Sequence, residues 1–514
     1  MLIGDILRQT SARYPKKTAM VFKERKETYE QLNARVNSLA NGLLNMGFKK
    51  GDSIAILSRN CPEFLEFYLA IAKAGLTAVP LNYRLTKQDL TTIINDSQGA
   101  GLVVHEEYGD IVRAISPNLK TVKHYISIGS KMSFTYDIEA LIKENQTNEP
   151  KTMINEEDCW LIGYTSGTTG KAKGVITSQK NTVFGTISTA LEMQIVPSDI
   201  CLLVVPFCFA AASTTRFHGL LRGCTNVITN FEPESVMQLI ETERVTITTM
   251  GPSMVQEIVN HPKGSHYNLK SMRKLGITTG PVTPELWEKL DRLFGPVGVP
   301  FYGQTETCFV GLTMQREEME EDKHRILSVG KAGITAEVRI VNFEGKDVRH
   351  NREEVGEVIV RGDSVFHGYW NLPDETTETI RDGWVYTGDL ATIDEDGYVY
   401  LVGRKSEMIR SGGLKVMPKE IEDVITKHPA VLRVAVIGIP NDKWGETPHA
   451  VIMLKEGERV TEGEIMELCK RNLASFKKPS SIEFVDELPL TVSGKVIKRE
   501  LKEKYWKDLS RRIH

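Results

Sequence analysis

At 514 residues the chain exceeds what one hydrophobic core usually organises, so roughly two to four domains are expected. Its composition, 41% hydrophobic and 25% charged, is that of an ordinary globular protein, and a net charge of −3 supplies no concentrated basic face for nucleic acid. The longest apolar run, Cys201 to Ala212, contains a proline and is too short to span a bilayer. The N-terminus lacks the apolar core of a secretory signal, and seven cysteines without a C-x-x-C pair read as reduced thiols. A cytoplasmic enzyme without a transmembrane segment is the expectation.

Thr28 to Gly47 reads as an amphipathic helix: Thr28 and Gln31 have capping-box spacing, Leu32, Val36, Leu39 and Leu43 share a face, and Gly47 ends it. A strand at Ser53 to Leu57 and a helix through FLEFYLAIAKAG follow. The alternation continues with strands near Leu102, at CWLIGYT, at Ile200, in VTITTM and KLGITTG, and around Pro300. This predicts an α/β architecture with largely parallel sheets. After about Val329, EVGEVIVRG, WVYTGDLATI and YVYLVGR alternate apolar and polar residues around a DEDG turn, which predicts antiparallel β structure. The last 110 or so residues have their own pattern: helix PKEIEDVITKH, strands VLRVAVIGI and HAVIML, a helix opened by a Thr461/Glu464 capping box, and strand SIEFV. A small α+β domain is expected there.

Five segments carry the chemistry. YTSGTTGKAKG (Tyr164 to Gly174) is rich in glycine and hydroxyl groups and ends in two lysines, a composition suited to phosphates. It does not fit G-x-x-x-x-G-K-[ST], because Ala172 follows Lys171 and position 165 is Thr; an ordinary surface turn is the bland reading. FYGQTET (Phe301 to Thr307) offers the aromatic face of Tyr302, the hydroxyl of Thr305 and the carboxylate of Glu306, suited to a purine, a phosphate and Mg²⁺. WVYTGDL presents Asp389 after a Thr-Gly turn, able to accept from two ribose hydroxyls or to close an Asx-type turn. In GRKSEMIRSGGLKVMPKEIE the Gly412-Gly413 pair permits close backbone approach by a ligand. PLTVSGKVIKREL places Lys495 after Ser493-Gly494.

In this order and spacing the five segments resemble, over essentially all of the chain, the adenylate-forming acyl-CoA synthetases, a superfamily that includes firefly luciferase and peptide-synthetase adenylation domains. The resemblance implies a large N-terminal domain (1–403) of two αβαβα-type subdomains plus a β-rich subdomain, then a small mobile α+β domain (404–514). It implies a reaction in two steps: a carboxylate attacks the α-phosphorus of ATP, pyrophosphate leaves, and the thiol of coenzyme A displaces AMP from the acyl-adenylate. ATP, Mg²⁺ and coenzyme A are the implied cofactors, a small-molecule carboxylic acid is the implied partner, and a homodimer is left open.

By the same resemblance Thr165, Ser166, Gly167, Thr168, Thr169, Gly170, Lys171 and Lys173 wrap the outer phosphates. Tyr302 stacks on adenine, Thr305 touches the α-phosphate, Glu306 ligates Mg²⁺, and Asp389 with Arg404 holds the ribose. Lys495 is the implied catalytic lysine, bridging carboxylate and α-phosphate oxygens, and Ser406 occupies the hinge about which the C-terminal domain rotates between steps. Gly412 and Gly413 line the pantetheine tunnel, while Arg84, Trp444 and Lys477 stand where relatives grip the CoA nucleotide. For these last contacts a solvated charge or a packed Trp is the equal alternative.

Phe209, Gly280 and Gly303 fall on the substrate side. Two departures stand out besides Ala172, which replaces the usual proline of the loop. Phe209, in PFCF, replaces a histidine that orients the acid in relatives, leaving an apolar gate, and TTGP (Thr278 to Pro281) stands where GGAP is commoner. The small apolar residues of CFAAASTT suggest room for an alkyl chain or ring. Arg216 reads either as a receptor for a second carboxylate, if it faces inward, or as a salt-bridged or solvated arginine. A medium- or long-chain fatty acid is expected, with aryl, carnitine-like and dicarboxylic acids, and a carrier-protein thiol in place of coenzyme A, as alternatives.

Overall fold

The Thr28 hydroxyl accepts from the Gln31 amide while the Gln31 side chain accepts from the Thr28 amide, and the helix they open runs Tyr29–Asn45 as expected. A computed structural model describes residues 1–165, 172–209, 212, 215–490 and 496–506. The chain divides into two compact units, Met1–Arg339 with Ile359–Tyr386, and Ile340–Val358 with Thr387–His514. The divisions fall inside the strands Glu337–Val341, Gly356–Arg361 and Trp384–Ile393.

Two sheets build the first unit. In one, the parallel strands Ser53–Leu57, Thr77–Leu81, Gly99–His105 and His124–Ile128 lie next to Cys159–Thr165, and Lys173–Ser178 and Gly368–Tyr369 extend the edge antiparallel. In the other, Gly298–Tyr302, Lys274–Ile277, Ile247–Met250, Ile200–Leu203 and Thr225–Ile228 run parallel in that order. The strand Thr18–Phe22, some two hundred residues earlier, joins this sheet beside Thr225–Ile228. The helices Ile3–Arg13, Tyr29–Asn45 and Pro62–Ala74 pack between, and their Leu7, Leu39, Phe67 and Leu69 share one buried core with Trp160 and Phe217. Apolar strands covered on both faces are what parallel sheets require. The expected two α/β subdomains are therefore present.

The second unit contains the antiparallel pair Trp384–Ile393 (from residue 387) and Val399–Arg404, joined by the expected turn, where the Gly397 amide donates to the Asp394 carbonyl at 3.0 Å. It also contains a sheet of Leu414–Val416, Ile409–Ser411, Gly445–Leu454, Val431–Asn441 and Ser481–Val485, covered by the helices Pro418–Ile425 and Glu462–Asn472. The Thr461/Glu464 capping box forms. This is the small α+β domain expected at the C-terminus. Among the described residues no helix is long and apolar enough to cross a membrane.

Candidate active site

The strand Cys159–Thr165 enters the glycine-rich loop and Lys173–Ser178 leaves it. The two pair antiparallel, with Thr165 opposite Lys173, so both ends of the loop are held in one hairpin. Ser166, Gly167, Thr168, Thr169, Gly170 and Lys171 lie outside the described residues. On the exit strand Lys173 forms a 2.8 Å ion pair with Glu375, and its ammonium stands 5.3 Å from the centre of the Tyr369 ring. Tyr369 is fixed there because Gly368–Tyr369 pairs with Val175 and Ile176.

Tyr302 ends the strand Gly298–Tyr302 and is buried; Thr305 and Glu306 follow in a single 3-10 turn, Thr305–Thr307. Gly303 has no room for a side chain, since a Cβ would sit 2.5 Å from the backbone of Phe309. The chain doubles back on itself there, with Cys308 and Phe309 both in the left-handed region (φ +47° and +58°). This return aims the 305–307 turn at the loop hairpin: the Thr305 methyl is 3.8 Å from where a Cβ on Gly163 would lie. The Tyr369 hydroxyl donates to Glu306 Oε1 at 2.8 Å, and the Phe366 amide donates to the Glu306 carbonyl at 2.8 Å. Burial, and then the neighbouring Glu306 charge, hold the Tyr369 phenol well above its ordinary pKa, so it stays a donor. Thr165, Lys173, Thr305 and Glu306 are thus brought together.

The acyl-side residues lie on the same unit. Phe209 is half-buried in a turn after the buried Phe207, whose amide donates to Asn60 Oδ1 (2.7 Å) and whose carbonyl accepts from the Tyr68 hydroxyl (2.8 Å). Gly280 is exposed, and beside it Thr279 takes φ +76°, a strained conformation for a β-branched residue. Arg84 is exposed and stacks at 5.5 Å on Tyr83.

In the second unit Asp389 and Arg404 face each other across paired strands, the guanidinium 2.8 Å from the carboxylate. The Thr387 hydroxyl, rather than the Asp389 carboxylate, closes the turn, accepting from the Asp389 amide at 3.1 Å. Glu357 steadies the same place by accepting from the Gly388 amide (3.0 Å) and from Lys405 (2.7 Å). Ser406 is exposed in the 3-10 turn Lys405–Glu407. Gly412 and Gly413 are both left-handed (φ +58° and +81°), and the Gly412 amide donates to the Trp444 carbonyl at 2.8 Å. A Cβ on Gly412 would meet the Trp444 ring at 2.5 Å, so what approaches Gly412 here is the protein's own indole. Trp444 is still about half exposed, and Lys477 is ion-paired with Glu420. Lys495 lies outside the described residues.

Comparison with known proteins decides the family. The profile of the AMP-binding enzymes matches residues 7–370, and that of the AMP-binding enzyme C-terminal domain matches residues 420–495. The chain belongs to the AMP-binding enzyme family. Feruloyl-CoA synthase of an Amycolatopsis species is 34% identical over 93% of this chain and 94% of its own. Medium/long-chain-fatty-acid–CoA ligase FadD8 of Mycobacterium tuberculosis is 30% identical over 99% and 91%. The crystal structure of the anthranilate CoA ligase AuaEII in complex with anthranoyl-AMP superimposes with a TM-score of 0.87 at 26% identity, covering 98% of this chain and 97% of that one.

As an AMP-binding enzyme of this kind the protein is an AMP-forming acid–CoA ligase, using ATP, Mg²⁺ and coenzyme A. The residues fit the metal. Mg²⁺ is commonly bound through one or two carboxylates together with substrate phosphates, and Glu306 supplies one oriented carboxylate beside the hairpin of the glycine-rich loop. Among the described residues no group of three or more acidic, His or Cys side chains forms a separate metal cage.

Three residues of this AMP-binding enzyme escaped the sequence reading: Tyr369, Glu357 and Lys498, the last joining Glu407 (2.6 Å) to Glu422 (2.9 Å) beside the Ser406 turn. Tyr369 and Glu357 stand outside the five motif segments, and Lys498 lies within the last of them, where only Lys495 was singled out. Each acquires its meaning from a strand or helix that reaches its partner only in the fold.

Proposed function

We propose that the acid is one with an apolar body, an alkyl chain or an aromatic ring, and that the two half-reactions use the residues as follows. The observation that supports the assignment of the nucleotide end is the convergence of the loop ends, Thr305 and the Tyr369–Glu306 pair. A carboxylate is a poor electrophile because its leaving group would be an oxide, and attack on the α-phosphorus of ATP provides AMP as the leaving group instead. Both reactants are anions, so the protein's work is positioning and charge neutralisation.

In this reading the loop from Thr165 to Lys173 holds the outer phosphates, Thr305 the α-phosphate, and Tyr302 the adenine. Glu306 holds the Mg²⁺, which when bound neutralises phosphate charge, and Tyr369 keeps the Glu306 carboxylate aimed. Asp389, its geometry set by Arg404, accepts from the ribose hydroxyls. Lys495 neutralises the charge that grows between carboxylate and α-phosphate, on the order of a few kcal/mol of barrier. Ser406 is the hinge between domains 1–403 and 404–514. Turning there withdraws Lys495 and brings the Gly412–Gly413 segment to the thiol, with Arg84, Trp444 and Lys477 on the CoA nucleotide. Phe209, Gly280 and Gly303 border the acid, Phe209 as an apolar gate.

A medium- or long-chain fatty acid is supported by the similarity to FadD8. An aryl acid is supported by the similarity to the feruloyl and anthranilate enzymes. A screen of CoA-dependent AMP release over fatty, aromatic, carnitine-like and dicarboxylic acids tests the assignment. Thioester and AMP in equal amounts with one of these classes is the expected result. Activity only when a carrier protein replaces coenzyme A would overturn it.

A further inference from the structure

Arg216 lies in the first turn of the helix Thr215–Arg222, directly after the segment that carries Phe209. It is not solvated, and among the described residues it has no ion-pair partner. Its side chain is among the largest fully buried ones in the protein, with the residue only 1% exposed. The guanidinium Nε donates to the Ala212 carbonyl at 2.7 Å, and its carbon stands 4.2 Å from the centre of the Tyr68 ring. Among the described residues Nη1 has no hydrogen-bond partner. Among the described residues the buried carboxylates of this unit are engaged elsewhere: Glu27 with Arg25, Glu66 with Arg25 and Arg35, and Asp199 with Arg273.

A buried guanidinium nitrogen left without an acceptor carries a desolvation penalty that nothing offsets. Arginine carries five N–H donors in a planar fork, and the group that satisfies such a fork best is a carboxylate. The position of this fork is informative. Tyr68, which it covers, donates through its hydroxyl to the carbonyl of Phe207, two residues before Phe209. On two sides the Arg216 charge reaches a thiol: Cys208, next to Phe209, and Cys308, two residues beyond Glu306. Burial pushes both up to about 12, and the guanidinium opposes the rise at both. Arg216 therefore stands beside the segment assigned to the acyl gate, with its charge felt at Cys308 near the segment assigned to the reacting centre.

We propose that Arg216 is a specificity-determining residue that receives a second carboxylate on the acid substrate, so that the apolar acid this ligase activates is a dicarboxylic one. The proposal rests on the CoA-ligase reading above and refines its substrate. The carboxylate that reacts goes to the nucleotide end near Thr305; the other, unreacted, completes the donor fork of Arg216 in place of the missing protein anion. An acid with a methyl or hydrogen where the second carboxylate belongs leaves the buried charge unpaired, which is the condition under which polar sites reject an analogue most strongly.

The test uses the full-length enzyme and pairs of acids that differ only in the second carboxylate, hexanoic against adipic acid and 3-phenylpropionic against 3-(carboxyphenyl)propionic acid. CoA-dependent AMP release is measured with wild type, Arg216→Lys and Arg216→Met. The expected result for wild type is a kcat/KM at least about tenfold higher for the dicarboxylic member of one pair. Arg216→Met should remove that ratio through KM, and Arg216→Lys should retain part of it. A merely structural Arg216 would depress both members of a pair alike and leave the ratio unchanged. Equal turnover of both members by wild type, or preference for the monoacid in both pairs, would overturn the proposal without any variant. If wild type turns over no acid with coenzyme A, the CoA-ligase reading fails. The Arg216 site is then judged by the thermal unfolding of wild type: a rise in Tm with a diacid but not with its matched monoacid sustains it, and equal shifts reject it.

Discussion

The Tyr369 hydroxyl donates to Glu306 across sixty-three positions of sequence, and at 2.8 Å it orients the carboxylate that stands beside the hairpin of the glycine-rich loop. Removing this donor in Tyr369→Phe leaves the ring in place and the carboxylate free to turn. A net hydrogen bond to a charged group contributes about 1.5–3 kcal/mol. We expect AMP release to fall by about tenfold or more at limiting Mg²⁺, with partial recovery at high Mg²⁺. A rate and Mg²⁺ dependence equal to wild type would show that Glu306 needs no such support.

Lys495→Ala should lower adenylation from the free acid by about a hundredfold to a thousandfold, the usual effect of deleting one preorganised charge stabiliser. Thioester formation from supplied acyl-adenylate should be largely preserved if the proposed turn at Ser406 withdraws the lysine in that step. Equal loss in both half-reactions would assign Lys495 a general structural role instead.

Asp389 is buried and its carboxylate is already fixed by Arg404 at 2.8 Å, so its geometry for the proposed ribose contact is set in advance. Asp389→Ala should raise the KM for ATP by about tenfold or more while changing the KM for coenzyme A little. Steady-state titrations of both substrates check this, and an unchanged ATP affinity would remove Asp389 from the nucleotide site.

Glu66 is fully buried and holds two arginines, Arg25 at 2.6 Å and Arg35 at 2.9 Å. Burial raises its pKa and the arginines pull it back. Glu66→Ala removes one shared carboxylate while Arg25 keeps Glu27 and Glu63 and Arg35 keeps Glu139, so stability should fall by about 1–3 kcal/mol, read as a shifted urea midpoint. A midpoint within error of wild type would mean that these remaining carboxylates satisfy both arginines.

Burial depresses the His218 imidazole from 6.5 to about 4, and among the described residues its Nδ1 has no hydrogen-bond partner. The unfolded chain therefore binds a proton at higher pH than the folded one, and this contribution to stability is present above pH 6.5 and is lost as pH falls towards 4. His218→Gln should flatten the decline in stability between those limits by up to about 3 kcal/mol. Denaturation at pH 7 and at pH 4.5 measures it, and parallel wild-type and variant profiles would contradict it.

Elements whose signals are local were legible in the sequence. The capping boxes at Thr28/Gln31 and Thr461/Glu464 form, and the strand Ser53–Leu57 runs where its apolar residues put it. The motif residues Thr165, Lys173, Thr305 and Glu306 converge, as do Asp389 and Arg404. What escaped was non-local. The strand Thr18–Phe22 carries no mark of its partner Thr225–Ile228, and Tyr369 carries none of Glu306. The burial of Arg216 was equally hidden, because a charged residue on an eight-residue helix has the same local pattern whether its face meets water or a core.

The central claim is that the acid is activated as an adenylate before coenzyme A takes part. Acid-dependent exchange of pyrophosphate into ATP, measured first without coenzyme A and then with it, tests this most directly. The account predicts exchange in the absence of coenzyme A and, on its addition, one AMP released for each thioester formed. Exchange that requires coenzyme A, or ADP and phosphate as products, would contradict it.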